Sequence, residues 1–425
     1  MLQKPKGTYD IYGEKGKQIE YIESLLKSLM SKYNYDYIET PIFESSELFH
    51  RGVGETTDIV TKETYDFKDR GDRMMTLRPE GTAGVVRSFV ENKMYGYASM
   101  PVKTWYFGPM FRYERPQSGR YRQFKQFGLE VFGSDDPMVD AEVISIAVNF
   151  YKILGLKGIK VNINSLGDKE SRDNYREALI KHFEPVIDTY CEDCRERFKK
   201  NPLRILDCKI DHDKEEMKNA PTTIEYLNEE SKKHFEAVKE HLEALDIDYI
   251  VNPSVVRGLD YYTHTVFEVE ADIPEFGSQN VLCGGGRYNG LVEAVGGPNM
   301  SGVGFALGLE RLLNALEAEK ITLPYDNSLD VYVIPMSENE KSYAFGLLQA
   351  LRMSGFKADI DYMNRKISGN FKQADRYNAK FVIIVGEEEI NTRTLTVKNN
   401  NTKEEYKVSE ELLINFFDDN IEEEH

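Results

Sequence analysis

Apolar residues recur at helical spacing from Ile19 through Ile22, Leu25, Leu26 and Leu29 to Tyr33, behind Gly16, and predict an amphipathic helix ending near Asn34. The pattern then shortens to runs of strand length. YDYIETPIFE predicts a strand carrying Pro41, which belongs at an edge or an interface because proline cannot donate to a ladder. Further strands are predicted at RMMTLRP, VKTWYFGPMFRYE, RQFKQFGLEVFG, IKVNINSLG, YYTHTVFEVE and SQNVLCGGG, with helices around Gly81 to Glu91 and Val139 to Leu154. Strands clustered in this way favour a mainly antiparallel α+β sheet over a doubly wound one.

After IKVNINSLG the chain turns charge-rich and helical, as in KEEMKNA and EESKKHFEAVKEHLEALD, so residues 169–251 read as an insertion in a domain spanning 1–325. The strand pattern resumes at Ser254 and runs into a helix, GVGFALGLERLLNALEAEK. LPYDNS follows as a linker. From Leu329 strands and helices alternate (LDVYVIPM, a helix to Met353, FKADIDYM, a helix to Tyr377, FVIIVG, TLTVKNN), which predicts a separate small α/β domain over 329–425. The sequence shows no internal repeat, and DDNIEEEH reads as a solvated tail.

At 425 residues the chain is long enough for two to four domains. It has no apolar run of membrane-spanning length and no signal-peptide pattern behind Met1, so a soluble, cytoplasmic protein is expected. Three of its four cysteines crowd into one segment, which excludes a disulfide framework spread over the fold. The net charge of −18 argues against a nucleic-acid partner, yet FRYERPQSGRYRQFKQ sets Arg112, Arg115, Arg120, Arg122 and Lys125 against the single acid Glu114. Tyr113, Tyr121 and Phe124 are interleaved with them, making a basic, aromatic island in an acidic protein.

That island reads as a hairpin. Arg112 and Glu114 share one face of the first strand; after a turn at Gln117 to Gly119 the second strand carries Arg120, Arg122, Gln126 and Glu130. Arginines so placed can grip a triphosphate, although a solvated surface hairpin carries the same pattern. No P-loop is present, and neither GVGFALG nor GGGRYNG has dinucleotide spacing; tight turns and close packing would explain their glycines. Arg311, on the helix after the first run, could project a guanidinium toward the sheet. LRPEGTAG ends a strand and places Glu80 and Thr82 at a turn into a helix: either a corner with Thr82 near the cap, or a carboxylate and a hydroxyl offered to an ammonium group. Cys191-x-x-Cys194 with Cys208 and His212 downstream could hold tetrahedral zinc, but the second half lacks a clean metal-binding pair. Reduced thiols in a helical insertion, without structural zinc, are the expectation.

In this order the motifs resemble a class II aminoacyl-tRNA synthetase, and specifically the histidyl-tRNA synthetase family. YDYIETPIFE, FRYERPQSGRYRQFKQFGLEVFG and GVGFALGLERLL are similar to that class's three signature motifs. RGLDYYTHTVFE and GGGRYNGL are similar to the two histidine-specific ones. The resemblance covers essentially the whole chain. It implies an antiparallel-sheet catalytic domain with a helical insertion, a C-terminal α/β anticodon-binding domain, and a homodimer with Pro41 at its interface.

It also implies roles for residues. L-histidine would be joined to the α-phosphate of ATP, carried with Mg²⁺, and then passed to the 3′ end of tRNA(His). Arg112 would bind the α-phosphate, Arg120 and Arg311 the outer phosphates, with Glu114 in the same ATP set. Glu80, Gly81, Thr82 and Gln126 would surround the α-ammonium, and Glu130, Tyr261 and Tyr262 the imidazole, whose two nitrogens need different partners. Arg257 would lie between carboxylate and α-phosphate and stabilise the charge that develops there. Arg115 and Gln117 would meet the tRNA acceptor end. No protein side chain is expected to hold a resident metal.

One rival is a synthetase-like, non-catalytic subunit that regulates the ATP phosphoribosyltransferase of histidine biosynthesis. Such subunits lack the C-terminal domain and signature arginines, and this chain has both. A synthetase for another amino acid, such as proline or threonine, conflicts with the doubled tyrosines and Glu130, and a pure RNA-binding module would not need Glu80, Gln126 and Tyr262 together. One difficulty is geometric: a regular strand from Arg257 would send Arg257 and Tyr262 to opposite faces. The strand is therefore expected to begin after Gly258.

Overall fold

The computed structural model describes residues 2–53, 57, 59–117, 119–208, 210–256, 259, 261–273 and 280–421. The chain divides into two compact units, Met1–Leu323 and Pro324–His425.

The first unit opens with the helix Glu14–Lys32, which buries Ile19, Ile22, Leu26, Leu29 and Met30 and closes ahead of Asn34, at φ 59°. Eleven strands follow among its described residues: β1 (Asp36–Tyr37), β2 (Phe43–Ser45), β3 (Tyr65–Lys68), β4 (Met74–Leu77), β5 (Val102–Phe111), β6 (Gln123–Phe132), β7 (Ile159–Ser165), β8 (Tyr249–Val251), β9 (Thr263–Ala271), β10 (Val281–Arg287) and β11 (Gly302–Gly308). Eight form one sheet in the order β1-β5-β6-β11-β10-β9-β7-β8. Its six central strands run antiparallel to one another, and only the edge pairs β1–β5 and β7–β8 are parallel. The helices Pro137–Ile153 and Glu229–Ala244 pack on each other and on this sheet. The strands β2, β4 and β3 form a small second sheet.

Several sequence expectations change here. YDYIETPIFE is not one strand: it breaks between Tyr37 and Phe43 around Pro41, and its halves, β1 and β2, join different sheets. A residue without an N–H suits that break. GVGFALG is not the start of a helix but strand β11, and the helix begins at Leu309 and ends at Ala318. The helices Lys169–Phe183, Glu192–Lys200, Glu215–Lys218 and Glu229–Ala244 occupy the expected insertion, but its last residues form β8 and rejoin the large sheet beside β7.

The second unit holds β12 (Val331–Pro335), β13 (Ala358–Ile360), β14 (Phe381–Val385), β15 (Thr394–Asn399) and β16 (Glu405–Ser409), ordered β13-β12-β14-β15-β16. The first three are parallel, linked through the helices Lys341–Met353 and Ile367–Arg376, and the last two return antiparallel. Val331, Val333, Leu348, Leu351, Ile383 and Phe417 are in its core. Among the described residues no helix is long and apolar enough to cross a membrane.

Candidate active site

A cavity of about 360 Å³ lies on the central strands β6, β11, β10 and β9, a volume suited to a small ligand. Gln126 and Glu130 come to it from β6, Glu268 from β9, and Glu310 and Arg311 from the helix after β11.

One end is built on a strand-to-helix corner. Arg78 fixes the corner by donating from Nη1 to the Thr40 carbonyl at 2.8 Å and from Nε to the Pro109 carbonyl at 2.9 Å. The helix Thr82–Glu91 then starts with its N–H groups aimed at Glu80, whose carboxylate accepts from Thr82 N at 2.7 Å and Ala83 N at 2.8 Å. Glu80, rather than Thr82, is thus the capping side chain. Burial raises its carboxyl above the ordinary range, with these N–H donors opposing.

Thr82 is thereby free to donate to Glu130 Oε1 at 2.7 Å, and Tyr288 donates to Glu130 Oε2. Glu130 is fully enclosed, and burial pushes its carboxyl up to about 8 despite both donors. Gln126, which lines the cavity, accepts from Gly81 N at 3.1 Å through Oε1, an oxygen with a second lone pair for a further donor. Glycines make room for this polar floor: a Cβ on Gly81 or Gly128 would lie 2.2 Å from the Tyr106 ring or hydroxyl. One on Gly304 would lie 2.0 Å from Glu130 Oε2.

Tyr261 and Tyr262 both line the cavity, with ring centroids 4.6 Å apart. They can do so because β9 begins only at Thr263, past Gly258, so strand alternation does not govern them. Arg257, Gly258 and Asp260 lie outside the described residues.

The other end is cationic. Arg112, Arg120 and Arg311 converge on it, with Glu114 between the first two: Arg112 Nη1 is 3.9 Å and Arg120 Nη1 3.6 Å from its carboxylate. Arg112 is oriented by Nε donating to the Pro79 carbonyl at 2.8 Å, and Arg311 by Nη1 donating to the Val281 carbonyl at 2.9 Å. Burial and the neighbouring Arg120 and Arg112 charges lower the pKa of Arg311. This end favours an anion.

Arg112 and Glu114 do not share a strand face, and neither Arg120 nor Arg122 sits on a strand. β5 stops at Phe111 and β6 starts at Gln123, because Tyr113 N turns away to the Glu63 carbonyl and Glu114 N to the Arg112 carbonyl. The basic groups therefore stand on the irregular mouth of the hairpin. Arg115 and Gln117 are exposed there and do not line the cavity; Gln117 and Arg120 exchange backbone hydrogen bonds, with Gly119 at φ 71°.

Sequence reasoning missed five contributors, Tyr288, Gly304, Tyr9, Glu310 and Glu268. Tyr288 follows Arg287, which is buried on Asp140, so alternation past the GGGR glycines could have aimed it at the cavity. Gly304 had only a packing reading. Tyr9 donates to Glu310, which also accepts from Lys125 N at 2.9 Å, and the Gly7 carbonyl accepts from Arg122 N at 2.8 Å; the segment around Tyr9 thus braces the cationic end. No local signal marks that contact. Glu268, on the floor, read only as a strand residue.

The family model for histidyl-tRNA synthetase matches residues 7–312, and that for an anticodon binding domain matches residues 330–420. A histidine–tRNA ligase of Staphylococcus haemolyticus is 54% identical over 418 residues, covering 98% of this chain and 99% of the relative. Its Staphylococcus aureus counterpart is also 54% identical over 98% of the chain. The crystal structure of apo S. aureus histidyl-tRNA synthetase superposes with a TM-score of 0.86 at 48% identity, covering 98% of this chain and 100% of that one. A Bacillus halodurans structure described as an ATP phosphoribosyltransferase regulatory subunit/histidyl-tRNA synthetase is 21% identical with a TM-score of 0.61, a likeness of fold alone. With a family model spanning most of its length and relatives this similar from end to end, the chain belongs to the histidyl-tRNA synthetase family.

Proposed function

We propose that this cavity joins L-histidine to ATP and passes the histidyl group to the 3′ end of tRNA(His). The observation that carries the reading is the split polarity of one cavity: buried carboxylates with hydroxyl donors at one end, three guanidinium groups at the other. An amino acid and a triphosphate laid head to tail need that division.

Glu80, Gly81, Thr82 and Gln126 surround the α-ammonium. Glu80 supplies the charge, held in place by the helix it caps. Glu130, with Tyr261 and Tyr262, takes the imidazole: its buried carboxyl, which keeps a proton up to about pH 8, can donate to an unprotonated ring nitrogen and, once ionised, accept from a ring N–H. A side chain that cannot hydrogen-bond leaves this buried network unpaired, which disfavours isosteric amino acids.

Arg112 binds the α-phosphate and Arg120 and Arg311 the outer phosphates. Their mutual repulsion, relieved by an anion, supports the assignment. Arg257 is proposed between histidine carboxylate and α-phosphate on the strength of its RGLDYY motif. The Mg²⁺ carried by ATP offsets phosphate charge, and the carboxylates of Glu114 and Glu310 are the hard oxygen donors available to it at that end.

Arg115 and Gln117, exposed at the hairpin mouth, meet the acceptor end of the tRNA, while the second unit contacts the anticodon region. The chain works as a homodimer in the cytoplasm. Exposed Tyr37, Ile42, Phe43, Phe67 and Met74, around the Pro41 break, support a self-associating face. A regulatory, non-catalytic role has no comparable support, since the full-length relatives at 54% identity are ligases by name.

The test is ATP–pyrophosphate exchange with each of the twenty amino acids in turn. Exchange with histidine alone is expected, and exchange with proline or threonine, or with none, overturns the proposal.

A further inference from the structure

The helical insertion holds a cluster that the ligase reaction does not use. Cys191 caps the helix Glu192–Lys200, Cys194 lies within its first turn, Cys208 follows the turn Pro202–Asp207, and Asp211 comes three residues later. Their four donor atoms all lie within 4.8 Å of one another. Cys191 Sγ is 3.7 Å from Cys208 Sγ, which is 3.6 Å from Asp211 Oδ2. A tetrahedral zinc with Zn–S of ~2.3 Å and Zn–O of ~2.0 Å sets those separations at ~3.8 Å and ~3.5 Å. His212, the fourth donor expected from spacing, is instead exposed and faces Asp213 at 3.2 Å.

We propose that Cys191, Cys194, Cys208 and Asp211 bind one zinc ion that staples the insertion together.

The surroundings fit a metal better than bare thiols. Asp211 is tied to the sulfur ligands through its carboxylate, which accepts from Cys191 N at 2.9 Å, and its own N–H, which donates to Cys208 Sγ at 3.3 Å. Such contacts are the outer layer that orients metal ligands. Three thiolates and a carboxylate around a divalent ion leave two negative charges, and Lys214 Nζ stands 3.1 Å from Asp211 Oδ1 to offset part of them. A disulfide between Cys191 and Cys208 would leave Cys194 and the buried Asp211 unexplained. Three sulfur ligands disfavour magnesium and calcium, which prefer oxygen, and four protein donors leave no open position for catalysis. None of the four residues lines the active-site cavity.

The role is structural. Cys194 and Cys208 sit in the insertion's own small core with Tyr175, Leu179, Phe183 and Ile205. So small an apolar nest gains from a staple, and zinc bound only by the folded arrangement adds its binding free energy to folding, with thiol protons released.

The full-length protein, purified without metal-affinity resin or chelator, is analysed by elemental mass spectrometry, with about one zinc per chain expected. Replacement by Co²⁺ should give the thiolate charge-transfer and visible bands of a tetrahedral sulfur site. Cys194→Ser and Asp211→Asn should lower zinc content to about a tenth or less, whereas Asp211→Cys and His212→Ala should keep it. The Asp211→Cys content and the cobalt spectrum stay informative where Cys194→Ser fails to fold. A chain that takes up no zinc from a supplemented buffer, or that shows a Cys191–Cys208 disulfide by mass, overturns the proposal.

Discussion

Gly304 on β11 pairs directly with Glu130 on β6, so closely that a Cβ on Gly304 would fall 2.0 Å from the Glu130 carboxylate and 2.2 Å from the Leu129 carbonyl. The backbone of one strand is thus a wall of the pocket floor. Gly304→Ala must displace Glu130 or part the strands, at a cost of about 1–3 kcal/mol, as overpacked cores show. Histidine-dependent ATP–pyrophosphate exchange should fall far more than the melting temperature. Full exchange activity in this variant would contradict the tight pairing.

Glu130 also links stability to pH. Its carboxyl titrates at about 8 in the folded chain, against roughly 4.3 in an unfolded one. Between those values the folded state keeps a proton that the unfolded state releases. The contribution of Glu130 is therefore fully present below about pH 4.3 and is lost as pH rises through about 8, with a slope of at most ~1.4 kcal/mol per pH unit. Glu130→Gln, neutral throughout, should flatten the decline in thermal melts between about pH 5 and about pH 9. An unchanged slope in the variant would show that Glu130 ionises normally.

Arg112→Ala removes a guanidinium already aimed by the Pro79 carbonyl, and adenylate formation should drop by about 100-fold or more. Arg257→Ala is expected to lower adenylate formation by orders of magnitude while affecting histidine affinity less. Pre-steady-state adenylate formation beside equilibrium histidine binding separates the two effects. Near-normal pyrophosphate exchange in Arg257→Ala would remove that residue from the proposed mechanism.

Arg287, buried at the end of β10, makes Nε contacts of 3.1 Å to both oxygens of Asp140 and donates to the Ser134 carbonyl at 2.7 Å. Arg287→Leu strips the buried Asp140 of its guanidinium, leaving His234 Nε2 at 3.5 Å as its basic neighbour, and should cost about 3–5 kcal/mol. Pairing it with Asp140→Leu should recover part of that loss in denaturant unfolding. A double variant no more stable than Arg287→Leu would place the damage in the lost backbone contacts instead.

What was legible in the sequence follows the reach of each interaction. Opening-helix periodicity and the alternating second unit are local, and both were readable in outline. Glu80 and Thr82 stood at a readable strand-to-helix corner, whereas Gln126 and Glu130, on the unbroken strand β6, entered the site reading only through the family resemblance. Misreadings began where a backbone leaves its ladder: Arg112 and Glu114 looked like strand neighbours, but Tyr113 N bonds to the Glu63 carbonyl, a partner no local pattern reveals. Tyr262 posed the same problem in reverse, resolved by a strand that starts at Thr263. Asp211 was passed over for His212 because spacing reports residue types and not which side chain turns inward.

The bond from Tyr9 to Glu310 spans 301 positions of sequence. During translation Tyr9 leaves the ribosome long before its acceptor exists, and the cationic end of the pocket lacks its brace until the helix beginning at Leu309 has emerged. Nucleotide binding by a nascent chain should accordingly switch on late and abruptly, as nearly the whole first unit becomes available, rather than grow with each added strand.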